Sequence, residues 1–248
     1  MNRSGWRGVI SSIEDTMPLY DEVNEAISFR RASRARTYAV RKLLENRRPQ
    51  LILDSGAGPG NMSVILLQQD ADADLVALDY STELLEICRE RLAGYRDRVH
   101  LVRGCFEDLP FKSRSFDAAV TAYALRDSPD LKKAIAEYAR SIKNEGRLVV
   151  VDLAKPDNRI KRFFAIIYVR FIAPLVAKLI ISGRLKGNPW RAIPLTYHNL
   201  PTTRELLKMF ETRFEVLEKR EWLSGGMLVI LLRSLGRSPS SSSSSARS

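Results

Sequence analysis

Five short apolar runs recur along the middle of the chain: LILD (51–54), LVALD (75–79), VHLV (99–102), FDAAVTAY (116–123) and RLVVVDLA (147–154). Helical patterns separate them over residues 62–69, 82–93 and 130–143, with Gly94 ending the second and the turn Asn-Glu-Gly preceding the last run. Strands alternating with helices at this spacing need crossover connections, which lie on the faces of a parallel sheet. Past Pro156 the pattern changes to a long apolar helical segment (160–182), a glycine- and proline-punctuated loop (183–201) and a helix (203–213). FEVLEKREW (214–222) and GGMLVILLR (225–233) then read as two strands joined by a tight Ser-Gly-Gly turn. The expectation is an α/β fold: a mostly parallel, Rossmann-like seven-stranded sheet ending in an antiparallel hairpin, with a helical insertion.

A chain of 248 residues is enough for one substantial core. Residues 1–233 are therefore expected to form a single domain, with a basic helical region at 1–48, an insertion at 156–201 and a disordered Ser-rich tail at 234–248. The net charge of +11 favours an anionic partner, and nucleic acid, an anionic membrane and an acidic cofactor all satisfy it. Cys88 and Cys105 form no disulfide framework, and the N-terminus shows no apolar run leading to a cleavage site, so a cytoplasmic protein is expected. Two separated histidines and no paired cysteines leave no metal constellation.

The turn in LILDSGAGPGNMSVILL carries Gly56, Gly58 and Gly60, which let the backbone approach a ligand closely. A pyrophosphate fingerprint wants a further glycine at 61, where Asn stands, and needs the helix-start N–H that Pro59 lacks. A nucleoside without phosphates avoids that demand. A mostly parallel sheet with a final antiparallel pair is the arrangement expected of a class I methyltransferase, so the turn points to S-adenosylmethionine. Asp54 can receive the methionine ammonium, directly or through water. Asp79, ending the second strand, can accept both ribose hydroxyls, as it would in a dehydrogenase.

The stretch GCFEDLPFKSRSFDAAVTAYALRDSPDLKKAIAEYARSIKNEGRLVVVDLAKP, with YDEVN at 20–24 and YHNLPTTRELLKMF later, resembles the ubiquinone and menaquinone biosynthesis C-methyltransferase family over roughly residues 16–232. The resemblance implies that Asp54, Gly56, Gly58, Asp79 and Tyr80 contact the cofactor and that Tyr20 belongs to an N-terminal lid over it. The position after Gly104, often an Asp facing the adenine amine, is Cys105 here, so Phe106 and the backbone are expected to carry more of the adenine contact. Arg126 and Asp127 occupy the Arg-Asn positions of the family's GLRN segment. Methylating a ring carbon needs an electron-rich ring, which a deprotonated quinol supplies, and a guanidinium would stabilise the oxyanion. Asp127 replaces the family's amide, so it either acts as a base itself or signals a different acceptor; the alternative is a plain Arg126–Asp127 ion pair. His198 is a further candidate base. Tyr123, Tyr197 and Asn199 are weaker candidates, and His100 reads as structural.

The acceptor implied is a prenylated quinol of demethylmenaquinol type or another lipophilic small molecule. Residues 163–181, FFAIIYVRFIAPLVAKLII, approach the length of a membrane span but contain Arg170, Pro174 and Lys178. Seven Lys or Arg and no Asp or Glu lie between residues 160 and 191, which suits an element lying on an anionic bilayer at the inner face of the cell membrane. Phe163, Phe164, Ile167, Phe171 and Leu175 are expected to line a channel for the tail; a buried helix or a homodimer contact is the alternative. Nucleic acid is disfavoured, because no cysteine-assisted or Asn-Pro-Pro-Tyr motif accompanies the basic helix.

Overall fold

A computed structural model describes residues 19–69, 72–182, 190 and 193–236. The apolar runs become β1 (Leu51–Ser55), β2 (Asp74–Asp79), β3 (Val99–Arg103), β4 (Phe116–Ala122) and β5 (Ile142–Leu153), followed by β6 (Phe214–Trp222) and β7 (Met227–Ser234). They form one sheet in the order β3-β2-β1-β4-β5-β7-β6. The first five strands pair in parallel, and β7 inserts antiparallel between β5 and β6. This is the class I methyltransferase topology, and the order reverses at β1 and β4, where a ligand crevice opens at the strand ends.

Helices among the described residues are α1 (Tyr20–Ile27), α2 (Arg31–Leu44), α3 (Asn61–Gln69), α4 (Thr82–Arg91), α5 (Leu131–Ser141), α6 (Arg159–Ile181), α7 (Ile193–Asn199) and α8 (Thr203–Glu211). Successive strand residues face opposite sides of the sheet, so Ile52 and Val149 pack with Leu43, Met62 and Leu66 on one face, whereas Leu53 and Val150 pack with Ile135, Tyr138 and Phe210 on the other. Both faces are thus covered, which explains why these strands are apolar throughout rather than alternating.

Local chemistry sets the boundaries. The basic helical region breaks at Phe29 and Arg30, both left-handed with φ of 51° and 57°, and the Ser28 hydroxyl accepts from the Ala32 N–H as α2 begins. Ser81 caps α4 by accepting from Leu84 N–H at 3.1 Å, and Thr202 with Glu205 closes a capping box on α8. β5 starts five residues before the expected 147: Phe116 pairs with Ile142 and Ala118 with Arg147, so the Lys-Asn-Glu-Gly turn is a bulge within the strand. The loop expected over 183–201 holds a helix, α7, at its end; residues 183–189 and 191–192 lie outside the described residues. Ser234, expected to begin the tail, is buried as the last residue of β7, and residues 237–248 are outside the description.

The insertion is dominated by α6, a 23-residue apolar helix with a π-type turn at Tyr168–Ile172, long and apolar enough by length and composition to cross a membrane. Val169, Ala173, Ala177 and Ile181 are buried, and the Tyr168 hydroxyl donates to the Ile27 carbonyl, which fastens α6 to α1. Phe163, Phe164, Phe171 and Leu175, expected to line a channel, instead face outward at 56–63% exposure. Ala177 and Ile181 pack with Val23 of α1, and Val169 packs with Tyr197 and Leu200, so the inner face is taken and the bulky side chains lie on the other.

Candidate active site

The glycine turn sits between β1 and α3 because its backbone does what a Cβ would forbid. Gly56, Gly58 and Gly60 all have positive φ (74°, 55° and 86°). A Cβ on Gly56 would collide with Ala124 and Phe106, whereas at Gly58 it would meet nothing within 4 Å, because that residue faces the open cleft. Gly60 does not line the cleft; its missing Cβ makes room for Cys88 Sγ, so its part is in packing α3 on α4. Gly56 and Ala57 N–H groups donate to the Leu78 carbonyl, tying the turn to β2.

The cleft at these strand ends spans about 750 Å³, its open mouth included, and is lined by residues that include Tyr20, Arg36, Gly56, Gly58, Asp79, Tyr80, Cys105, Phe106, Tyr123 and Asp127. Asp79 accepts from Gly58 N–H at 2.8 Å and Ser81 N–H at 3.0 Å. Its carboxylate stands on the cleft wall at the end of β2, where a ribose diol would be met. Asp54 is not on the lining: it lies buried at 1% exposure, accepts from the Ser63 hydroxyl at 2.6 Å, and leaves Oδ1 without a partner. Burial pushes its pKa up to about 7 against the hydrogen bond from Ser63. An orphaned carboxylate oxygen suits an ammonium, directly or through water. Burial also raises the Cys105 thiol, which disfavours a nucleophilic thiolate.

A second cavity of about 590 Å³ adjoins the first. Tyr20 and Tyr123 line both, and Ile27, Leu153, Val169, Ala173, Ile193 and Met227 make the second one apolar. Arg126 is the charged residue of its described lining. Arg126 Nη1 donates to Asp152 Oδ1 at 2.9 Å, its backbone N–H donates to Asp152 Oδ2 at 3.0 Å, and Nη1 also reaches the Tyr123 carbonyl. Its Nε lies 3.6 Å from Asp127 Oδ1, beyond hydrogen-bond reach, and both atoms are buried without a hydrogen-bond partner. Burial raises the Asp127 pKa to about 6, opposed by Arg126 and assisted by Asp152.

The sequence-predicted residues thus divide. Tyr20, Gly56, Gly58, Asp79, Tyr80, Cys105, Phe106 and Asp127 meet at the cleft, and Arg126 faces the adjoining cavity. His198 is exposed on α7, away from both linings, and its carbonyl accepts from Lys155 Nζ at 2.9 Å. Asn199 is exposed beside it, and Tyr197 is buried with its hydroxyl on the Ala154 carbonyl at 3.0 Å, a packing role. His100 is exposed on β3. Two residues escaped the sequence reading. Asp152 lies within the apolar run of β5 and orients Arg126, and Arg36 looked like one more cation of a solvated helix. The acidic residue inside VVVDLA was the available signal for the first.

A sheet of this order, with a glycine turn whose Pro59 denies a phosphate the helix-start N–H, a carboxylate ending β2 and a buried acid behind the turn, is that of a class I S-adenosylmethionine-dependent methyltransferase. The residues present fit that cofactor: Asp79 would meet the ribose, the Gly56–Gly58 turn would lie beside it, and the orphaned Asp54 oxygen would suit the ammonium. The model of the ubiE/COQ5 methyltransferase family matches residues 4–230, and the chain belongs to that family. It is 31% identical over 205 residues to the demethylmenaquinone methyltransferase of Thermotoga maritima, covering 80% of this chain and 86% of that protein. It is 28% identical over 225 residues to a ubiquinone/menaquinone biosynthesis C-methyltransferase of Syntrophotalea carbinolica, covering 88% of this chain and 92% of the other. A solved geranyl diphosphate methyltransferase with bound S-adenosylmethionine shares the fold at a TM-score of 0.59 and 16% identity, over 82% of this chain and 84% of that one.

Proposed function

We propose that this enzyme methylates a ring carbon of a prenylated quinol of demethylmenaquinol type at the surface of an anionic membrane. The carrying observation is the apolar cavity that shares Tyr20 and Tyr123 with the cofactor cleft and has Arg126 on its wall. Family membership and the names of the relatives support the acceptor class.

S-adenosylmethionine, when bound, supplies an electrophilic methyl group. The chain's own residues prepare the acceptor. Arg126, kept cationic and oriented by Asp152, stabilises the oxyanion left when a quinol hydroxyl loses its proton. Asp127, with a pKa of about 6, is poised to take a proton near neutral pH. Methyl transfer would exchange the cofactor's carbon–sulfur bond for a carbon–carbon bond; the ring carbon then loses its proton and the oxyanion is reprotonated, so one proton in all leaves to solvent through such a base. Asn24 and Ser28 provide polar contacts in a lining otherwise suited to a fused ring and its tail.

The outward face of α6 supports the membrane reading. Phe163, Phe164, Phe171 and Leu179 are 60–71% exposed and stand beside Arg159, Lys161, Arg170 and Lys178 on the same helix. Apolar side chains dip into a bilayer while long basic ones reach the headgroups. The test is incubation with labelled S-adenosylmethionine and extracted membrane lipids, followed by mass spectrometry. Label on a quinone ring carbon is expected; label confined to a headgroup, another isoprenoid or RNA would overturn the acceptor. Asp127 in place of the family's amide favours keeping another lipid as the second reading.

A further inference from the structure

We propose that Arg36 is the anchor for the α-carboxylate of the cofactor's methionine moiety. Arg36 lies on α2, lines the cofactor cleft and is only 7% exposed. A cation this buried is ordinarily paired with an acid. Arg126 shows the usual pattern, held by Asp152 and facing Asp127. Among the described residues Arg36 has no such partner: its contact is the ring of Tyr123, with Cζ 4.7 Å from the centroid. Stacking occupies the face of a guanidinium and leaves its in-plane N–H fork for a carboxylate.

The cofactor narrows the choice. Its adenine and ribose are neutral, and its ammonium and sulfonium would be repelled, so the α-carboxylate is the one group that complements a guanidinium inside the cleft. Arg36 also acts electrostatically on Asp54, favouring that residue's ionised form. Among the described residues the cleft therefore presents a cation without an acid and an acid with an orphaned oxygen, the complement of a zwitterionic amino acid. Tyr123 fixes the arrangement: it directly follows β4 in the left-handed region at φ 59°, and its ring backs Arg36 while lining the acceptor cavity. The carboxylate anchor and the acceptor wall share that side chain.

The experiment is calorimetric and needs no turnover. S-adenosylhomocysteine, its decarboxylated analogue and methylthioadenosine, which lacks the amino-acid portion, are titrated into the wild type, Arg36→Met and Arg36→Lys. Hydrogen bonds to charged groups predict that Arg36→Met weakens S-adenosylhomocysteine about ten- to a hundredfold. Methylthioadenosine binding is expected to stay unchanged, Arg36→Lys to fall between, and the decarboxylated analogue to bind the wild type more weakly by a similar factor. Equal weakening of S-adenosylhomocysteine and methylthioadenosine, or of neither, would overturn the assignment. If both variants unfold in a melting control, the wild-type comparison decides: equal affinity for the two homocysteine analogues rejects the anchor.

Discussion

Asp54 and Asp127 are held protonated far above the ordinary carboxylate range, at about 7 and about 6, in both cases chiefly by burial. A raised carboxylate pKa stabilises the fold below the unfolded value near 3.8 and loses that contribution as pH rises through the folded value. The ligand-free protein is therefore expected to lose melting temperature from these two groups between about pH 4 and pH 7, and Asp54→Asn should flatten part of that slope. The acids with lowered pKa, such as Asp117 and Glu137, act in the opposite sense and at lower pH. An ammonium arriving at Asp54 favours its ionised form, so cofactor binding near pH 6.5 should release protons, about half to one per site. Calorimetry in buffers of different ionisation enthalpy measures that number; zero release would remove Asp54 from the ammonium contact. At Arg126, replacement by Ala should lower turnover about 10²–10³-fold with cofactor affinity nearly intact. The same change strands two buried acids, Asp127 and Asp152, and should cost about 3–5 kcal/mol in denaturant titration. Asp127→Asn offers the cleaner probe of the base: if Asp127 takes the proton, the acid limb of kcat near pH 6 should vanish in the variant.

At the scale of elements, the parts of the site that lie in one contiguous stretch were legible in the sequence. Gly56, Gly58 and Asp79 announce themselves because a strand end, a turn and a helix start impose residue types locally. Arg36 did not, since nothing in a run of arginines distinguishes the one that turns inward; only the packing of α2 against the strand-end Tyr123 does. His198 looked useful as an isolated titratable residue near neutral pH, but its position on α7 turns it to solvent. For α6 the difficulty is different. A segment apolar on nearly every side gives no periodicity from which to choose an inner face, so the bulky phenylalanines looked internal when the small Ala173 and Ala177 are. That reversal makes a prediction about the cavity. Ala173 is buried on its wall, so Ala173→Leu should fill acceptor space and raise KM for the lipid acceptor while leaving cofactor affinity unchanged. Overpacking there should cost about 1–3 kcal/mol, which a denaturant titration separates from the kinetic effect. An unchanged KM would mean that the acceptor enters elsewhere.

Over the whole molecule, charge and apolar exposure fall together. The chain carries a net charge of +11, and among the described residues the outward-facing large apolar side chains are concentrated on α6, beside the proposed acceptor cavity that the same helix walls from within. An acceptor with a long apolar tail cannot diffuse freely through water, so an enzyme that methylates it gains by resting where the tail already is. Two forces would hold the protein there, and they respond differently to solution conditions. Each basic residue near an anionic surface contributes about 1 kcal/mol within a Debye length of about 10 Å at 0.1 M salt, and this part fades as salt rises. Burial of phenylalanine does not. Flotation with phosphatidylglycerol vesicles should therefore exceed that with phosphatidylcholine, and should weaken but not vanish at 0.5 M salt, on the order of a tenfold loss. Replacing Phe163, Phe164 and Phe171 together by Ser should weaken flotation at low salt and abolish it at 0.5 M, where the remaining charge is screened. Turnover on a short-tailed, water-soluble acceptor should survive the triple change, since none of the three side chains lines the cleft or the cavity. Undiminished flotation of the triple variant would place the membrane contact elsewhere on the basic surface.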